Sequence, residues 1–317
     1  MDDLKLTIDK IIEGDVRTAS RAISFAESED ARAVPILKAL FPHTGRARII
    51  GITGAPGSGK STLTDKLAKE MRKRDKTVGI IAVDPTSPFT GGAILGDRIR
   101  MSGLATDPGV FIRSMGTRGQ LGGLAKNTMS AARILDAFGC DYIFIETVGV
   151  GQSEVDIIKL ADIVLIVNVP GLGDDIQAIK AGLMEIGDIL VVNKADKDGA
   201  DRLVIELETM LDFRTQFEGL RPPVLRTVAQ EGEGVPELCD KIDTHFDHDR
   251  DHGLLMKRRQ RNLHIEVENI LLDRFTRAMR TVITEAEEMD NLLENLYNRE
   301  VDPYTVSEQV AEKLGIK

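Results

Sequence analysis

The stretch RIIGITGAPGSGKSTLTDKLAKE, residues 48–70, decides the fold. Residues 48–53 are a short β-branched apolar run suited to a buried strand, and from Lys60 the texture is helical to about residue 74. Between them GAPGSGKS (54–61) fits the pattern Gly-x-x-x-x-Gly-Lys-Ser/Thr, in the strand–loop–helix order that gives the pattern its chemistry. Gly54, Gly57 and Gly59 let the chain curl so that successive N–H groups face inward, where phosphate oxygens can accept from them. Lys60 can set a positive charge against β- and γ-phosphates, the Ser61 hydroxyl can ligate Mg²⁺, and the helix start adds its positive end. Such a loop implies a nucleotide-binding P-loop domain.

Outward from this stretch, six further apolar runs follow: TVGIIAV (77–83), VFIR (110–113), YIFIE (142–146), DIVLIVNV (162–169), DILVVN (188–193) and VLRTV (224–228). Helix-like stretches at 60–74, 123–138, 152–160, 175–186 and 200–218 separate most of them. Strand and helix in alternation mean crossover units, hence an α/β fold with a mostly parallel, doubly wound sheet. Upstream, residues 4–41 read as short helices, with Leu4, Ile8, Ile11 and Ile12 at helical spacing and breaks at Gly14 and PHTG (42–45). Beyond residue 250 no strand pattern remains, and 263–297 is charged and helical in period. Val267, Leu271, Phe275 and Met279 form an apolar seam at i+4 steps, with Val282 three further on. The expected organisation is an N-terminal helical segment (1–45), a P-loop domain (46–250) and a C-terminal helical arm (251–317).

Composition narrows the function. A formal charge of −10 over 317 residues excludes a general nucleic-acid or anionic-membrane binder, either of which needs a basic face. The one basic run, KRRQRN (257–262), reads as a solvated helix face. Cys140 and Cys239 are the only cysteines and form no CxxC, which supports neither a disulfide framework nor a structural zinc site. The acidic opening MDDLKLTIDKIIEGD is no signal peptide, and no segment has the apolar length of a membrane span. A cytoplasmic protein is expected.

A triphosphate needs a metal, and the metal needs carboxylates. Asp84 and Glu146 fall at strand ends, where open α/β sheets collect ligands, and Asp97 lies in the Gly-rich stretch GGAILGDRIR, able to close over a γ-phosphate. Asp84 before Pro85 can equally start a turn, and Asp97 can cap the following helix. NKAD (193–196) after DILVV points to the base: an Asp there accepts from both N1–H and the exocyclic amine of guanine, whereas adenine would leave it unpaired. Asn193 would brace the loop and the base edge, the Lys194 stem would cover the ring, and Asp196 would read guanine. Thr227, Val228 and Ala229, at the end of the next strand, are the natural backbone wall for the guanine O6.

GITGAPGSGKSTLTDKL, VDPTSPFTGGAILGDRIRM, RGQLGG, ETVGVGQSE, PGLGDDIQAIKAG and NKAD, in this order and spacing, resemble the methylmalonyl-CoA mutase-associated GTPases of the MeaB/ArgK type, over about residues 20–250. The resemblance implies a Mg²⁺-dependent GTPase, binding GTP and GDP, that serves as G-protein chaperone to an adenosylcobalamin-dependent acyl-CoA mutase. It would gate delivery of adenosylcobalamin and help expel inactivated cofactor. The resemblance places phosphate contacts on Gly54, Ala55, Pro56, Gly57, Ser58, Gly59, Lys60, Ser61 and Thr62. It places the metal at Ser61, Asp84, Asp97 and Glu146, catalysis on Lys60, Asp97 and Glu146, and guanine contacts on Asn193, Lys194 and Asp196. Switch and partner coupling would fall to Gly149, Gln152, Asp174, Asp175 and Lys180, and the C-terminal helices would form a homodimer. TVAQEG departs from the family's more usual Ser-Ala in the base loop, which leaves the part of Val228 open.

Glu146 is one methylene longer than the commoner Asp, so it can meet Mg²⁺ directly or through a coordinated water according to where the loop sits. Val150 stands where a Gln would orient water, so slow hydrolysis by the isolated chain is expected. Two other activities compete. A P-loop kinase needs an acceptor site, and no separate substrate domain is visible. A nickel metallochaperone GTPase needs a His- or Cys-rich segment, for which HFDHDRDH (245–252) is the only cluster.

Overall fold

Seven of the apolar runs are strands in the computed structural model, which describes residues 2–84, 103–116, 123–147, 160–171, 186–214, 217, 219–285, 294–313 and 315. They are β1 (Arg48–Thr53), β2 (Val78–Asp84), β3 (Val110–Gly116), β4 (Tyr142–Glu146), β5 (Ile163–Asn168), β6 (Ile189–Asn193) and β7 (Val224–Thr227). They make one sheet in the order β3-β2-β4-β1-β5-β6-β7, every neighbouring pair parallel. The chain leaves β1 for β2 and β3, returns to place β4 against β1, then winds out on the other side through β5, β6 and β7. Such a reversal opens a crevice at the carboxyl ends of the strands beside β1, where this topology receives ligands.

The helices follow from which face of each strand is apolar. Helices α1 (Asp2–Ile12), α2 (Val16–Glu27) and α3 (Ala33–Leu40) read Ile8, Ile11, Ala19, Ile23, Ile36 and Leu40 into one cluster. That cluster joins α5 (Gly123–Phe138) and the strand residues Ile81, Val83, Ile143 and Ile145. The alternate strand residues, Ile50, Ile52, Ile80, Phe144, Leu165, Val167 and Val191, pack on the other face against α4 (Lys60–Lys73) and α7 (Val235–Asp251). Helix α6 (Ala200–Asp212) covers Val164, Ile166, Leu190 and Val192 with Leu203, Leu207 and Leu211. Because both faces are covered, the central strands are apolar at consecutive positions rather than alternately. The fully buried Phe144 alone contributes about 1.5–3 kcal/mol of transfer free energy. Burial pushes both thiols, Cys140 and Cys239, up to about 12, so neither ionises at neutral pH.

Two expectations change. The helix expected over 200–218 stops at Asp212, with Phe213 capping its last turn. The run 257–262 is not simply a solvated face. Lys257 and Arg261 are exposed, but Arg258 and Arg259 turn inward. Arg258 forms a two-pronged ion pair with Asp188 (2.9 Å for each prong), and Arg259 does the same with Asp162 (2.8 and 2.7 Å) while donating to the carbonyls of Gly45 and Ala47. A planar guanidinium suits this because it satisfies two carboxylate oxygens at once.

The chain divides into two compact units, Met1–Gln260 and Arg261–Lys317, and helix α8 (Leu254–Glu285) starts in the first and ends in the second. In the second unit Asp302 caps α9 (Pro303–Lys313) by accepting from Tyr304 N, Thr305 N and Thr305 Oγ1. On α8, Val267, Leu271, Phe275 and Met279 are all exposed. Among the described residues no helix is long and apolar enough to cross a membrane.

Candidate functional site: the loops at the carboxyl ends of the strands

Gly54 ends β1 at φ 146°, and a Cβ there would lie 2.1 Å from the Val167 carbonyl oxygen of β5. Only glycine lets the loop begin this close to the neighbouring strand. Gly59, at φ 90°, is the residue before α4; its Cβ would meet Asn193 Nδ2 at 2.4 Å. Lys60 opens the helix and is 94% buried by virtue of 6% exposure. Its ammonium donates to the carbonyls of Gly54 (2.7 Å) and Ala55 (3.0 Å), which fixes the charge across the mouth of its own loop. Thr62, two residues on, is exposed.

Glu146 ends β4 opposite Ile52 of β1 and Ala82 of β2, so the register brings it beside the loop. It is 5% exposed, and its Oε1 accepts from Ser61 Oγ at 2.5 Å. Thr147 follows, its N–H on Ile52 O (3.1 Å) and its hydroxyl 3.2 Å from that of Thr53, stitching the ends of β1 and β4 together. A serine hydroxyl and a carboxylate side by side are hard oxygen donors. They fit Mg²⁺, which takes one or two carboxylates and completes its shell with water and phosphate oxygens. Asp84 closes β2 opposite Gly116 of β3, one strand from Glu146. Asp97, Gly149, Val150, Gln152, Asp174, Asp175 and Lys180 lie outside the described residues.

The base loop is tied to the phosphate loop by one side chain. Asn193 ends β6, 2% exposed, and its Nδ2 donates to Ser58 O at 2.8 Å. Its Oδ1 accepts from Thr227 Oγ1 (3.1 Å) and Ala229 N (3.0 Å) at the end of β7. Asn193 thus uses both ends of its amide to hold three chain segments. Lys194, left-handed at φ 55°, sends its ammonium back to Gly57 O at 2.8 Å. Ala195 N donates to Thr227 O (3.1 Å), and Asp196 stands exposed just past that bond. Val228 N is engaged by Glu233 O (3.1 Å). Of the expected residues, then, 54–62, Glu146, 193–196 and 227–229 come together at one end of the sheet. The bond from Asn193 to the phosphate loop had no sequence signal, since Ser58 is 135 residues away.

The cluster HFDHDRDH is used elsewhere. His245 is buried in α7 with Nε2 3.7 Å from Asp188 and 3.9 Å from Asp249, and His248 stacks on His252. Among the described residues no three His, Cys, Asp or Glu side chains converge on a position that could hold a metal ion.

Comparison with known proteins agrees with this geometry. Residues 19–284 match the family model described as methylmalonyl Co-A mutase-associated GTPase MeaB. A Pyrococcus horikoshii protein, provisionally named as a GTPase, is 51% identical over 310 residues, 97% of each chain. The Escherichia coli protein named GTPase ArgK is 36% identical over 244 residues, 74% of each chain. A crystal structure titled LAO/AO transport system kinase superposes with a TM-score of 0.73 at 26% identity, covering 99% of this chain and 98% of the other. The chain belongs to the MeaB family of methylmalonyl-CoA mutase-associated GTPases, and the reaction of its P-loop site is the hydrolysis of GTP.

Proposed function

We propose that this GTPase is the Mg²⁺-dependent G-protein chaperone of an adenosylcobalamin-dependent acyl-CoA mutase of the methylmalonyl-CoA mutase type. In the cytoplasm it gates cofactor loading and protects or reactivates the mutase. The observation that supports the reading is Asn193 at the end of β6, bonded at once to the phosphate loop and to the end of β7, which ties the base side and the phosphate side of the site together. A single side chain serving both subsites is what a nucleotide-state reporter needs.

In this reading residues 54–62 cradle the phosphates, with Lys60 placing its charge on the β- and γ-oxygens. Ser61 and Glu146 hold the ion, joined by Asp84 and Asp97. Bound Mg²⁺ would supply neutralisation of the charge that builds on the phosphate oxygens. Asp196 accepts from guanine while Lys194 covers the ring. The segments carrying Gly149, Gln152, Asp174, Asp175 and Lys180 couple the site to the partner, and the reaction is slow until the mutase orders them.

Single-turnover hydrolysis with and without a methylmalonyl-CoA mutase is the test: slow alone and faster with the mutase is expected. Fast turnover alone, or no response to the mutase, ends the chaperone reading. The kinase alternative would show as phosphate transferred to a small molecule, with ATP preferred over GTP. The exposed seam of Val267, Leu271, Phe275 and Met279 supports a homodimer. In sedimentation of the full chain, Phe275→Asp should then convert dimer to monomer; a mass that does not change would end that part of the proposal.

A further inference from the structure

The end of α7 sets two imidazoles side by side. His248 lies in its last turn and His252 is its C-terminal cap, four residues on, so the two share one face. Their rings stack at 4.1 Å between centroids and 22° between planes. His248 is partly exposed and His252 exposed, so solvent reaches the pair.

The partners of the two Nδ1 atoms fix the tautomers. His248 Nδ1 lies 3.3 Å from Asp249 Oδ1, and His252 Nδ1 lies 2.8 Å from the His248 carbonyl oxygen. A carboxylate and a carbonyl can only accept, so each neutral ring carries its proton on Nδ1 and leaves Nε2 a bare acceptor. Among the described residues neither Nε2 has a hydrogen-bond partner. A histidine whose one ring N–H is held by a carboxylate or a main-chain carbonyl is in the form that binds metal ions: the held proton orients the ring and makes the other nitrogen more basic. Here both rings of one stacked pair are in that form. His245, the third histidine of HFDHDRDH, stays out of the pair, buried with its Nε2 toward Asp188 (3.7 Å) and Asp249 (3.9 Å).

We propose that His248 and His252 form a two-imidazole site for a divalent transition ion, Zn²⁺, Ni²⁺ or Cu²⁺, with water completing the coordination shell. Imidazole nitrogens suit these ions and not Mg²⁺ or Ca²⁺, which take oxygen donors. Two nitrogens at about 2.0–2.1 Å from one ion stand roughly 3 Å apart, so the near-parallel rings need tilt their Nε2 edges together by only about 1 Å. Asp249 is a positioning residue for His248. The ion joins the last turn of α7 to its cap, just before Gly253 turns the chain at φ 73° into α8.

The test is calorimetric titration of Zn²⁺ and of Ni²⁺ into the full chain, with excess Mg²⁺ present to occupy the oxygen donors of the P-loop site. The wild type should take up one ion that His248→Asn and His252→Asn each bind at least about tenfold more weakly, since even an outer partner of a ligating histidine is worth roughly 10- to 100-fold. His264→Asn, which removes the exposed histidine beside Glu268 on α8 (3.2 Å), should bind as the wild type does. Binding that survives either substitution in the pair at full strength, or no binding by the wild type, overturns the inference. Nitrogen NMR of the metal-free wild type above neutral pH gives a second reading that needs no variant. Both rings should show Nδ1–H and a bare Nε2, and Zn²⁺ should shift both Nε2 resonances. A proton on either Nε2, or Nε2 resonances that Zn²⁺ leaves in place, overturns the inference as well.

Discussion

The two ends of this sheet use the same residue types to opposite effect. At the carboxyl end, Lys60 and Lys194 donate to loop carbonyls, and Glu146 accepts from a serine hydroxyl. These contacts gather the three charged groups around the phosphate and base loops. At the amino end the acids are matched. Asp141, Asp162 and Asp188 each precede a strand and accept from an N–H at the start of the neighbouring one: Thr77 (2.8 Å), Ile49 (3.0 Å) and Val164 (2.8 Å). Asp136 accepts from three successive N–H groups, of Gly45, Arg46 and Ala47. Arg258 and Arg259 then neutralise Asp188 and Asp162, and Arg48 pairs with Asp243 (2.6 Å) and Asp247 (3.2 Å) on α7. Asp162 and Asp188 are therefore staples with a cation already beside them, whereas Asp141 is held by the N–H and hydroxyl of Thr77.

That contrast can be broken from either side with a crossed pair of variants. Asp162→Ala removes the acceptor of Ile49 N and leaves the Arg259 guanidinium, two-thirds buried or more by its 28% side-chain exposure, without its carboxylate. Breaking a buried pair from one side costs about 3–5 kcal/mol, so the urea midpoint should fall sharply while the folded fraction binds GTP as before. Lys60→Ala should do the reverse. Hydrolysis drops on the order of 10²–10³-fold, the usual loss for one charge-stabilising group, with stability changed by about 1 kcal/mol or less. If Asp162→Ala weakens nucleotide binding in the folded protein, or Lys60→Ala lowers the midpoint as much, the two ends are not separate devices.

What was legible in the sequence follows from how local each feature is. The runs RIIGIT and YIFIE coincide with β1 and β4, and the helix expected over 123–138 is α5, because apolar period is a property of neighbouring residues. The phosphate loop was readable for the same reason: its glycine demands sit within eight positions. Asn193 as the link between loops was not readable, since its partners lie 135, 34 and 36 residues away. Nor were the Arg258 and Arg259 pairs, 70 and 97 residues from their carboxylates, for which a basic run looks the same whether solvated or folded inward. The staples did leave a trace: CDY, ADI and GDI each put an Asp immediately before an apolar run. Helix α6 was overextended because residues 213–218 carry no Gly or Pro to mark the stop.

The smallest effect concerns pH and the amino end alone. His245 of α7 faces Asp188 from the start of β6, Asp249 from its own helix and Arg258 from α8, with His248 nearby. Desolvation by burial lowers its pKa below the ordinary 6.5; Asp188 and Asp249 pull the other way, and Arg258 and His248 add to the lowering. The folded state thus keeps the imidazole neutral at a pH where the unfolded chain has begun to take up a proton. As pH falls through about 6.5 the unfolded state binds more protons, so stability declines, and this contribution stops changing once pH is below the folded value. His245→Gln keeps a polar side chain there but cannot titrate. Urea midpoints measured from pH 7.5 to 5 should fall less steeply for the variant than for the wild type, whatever its midpoint at pH 7.5. Parallel profiles would mean that the amino end, for all its matched charges, carries no proton-linked weakness at His245.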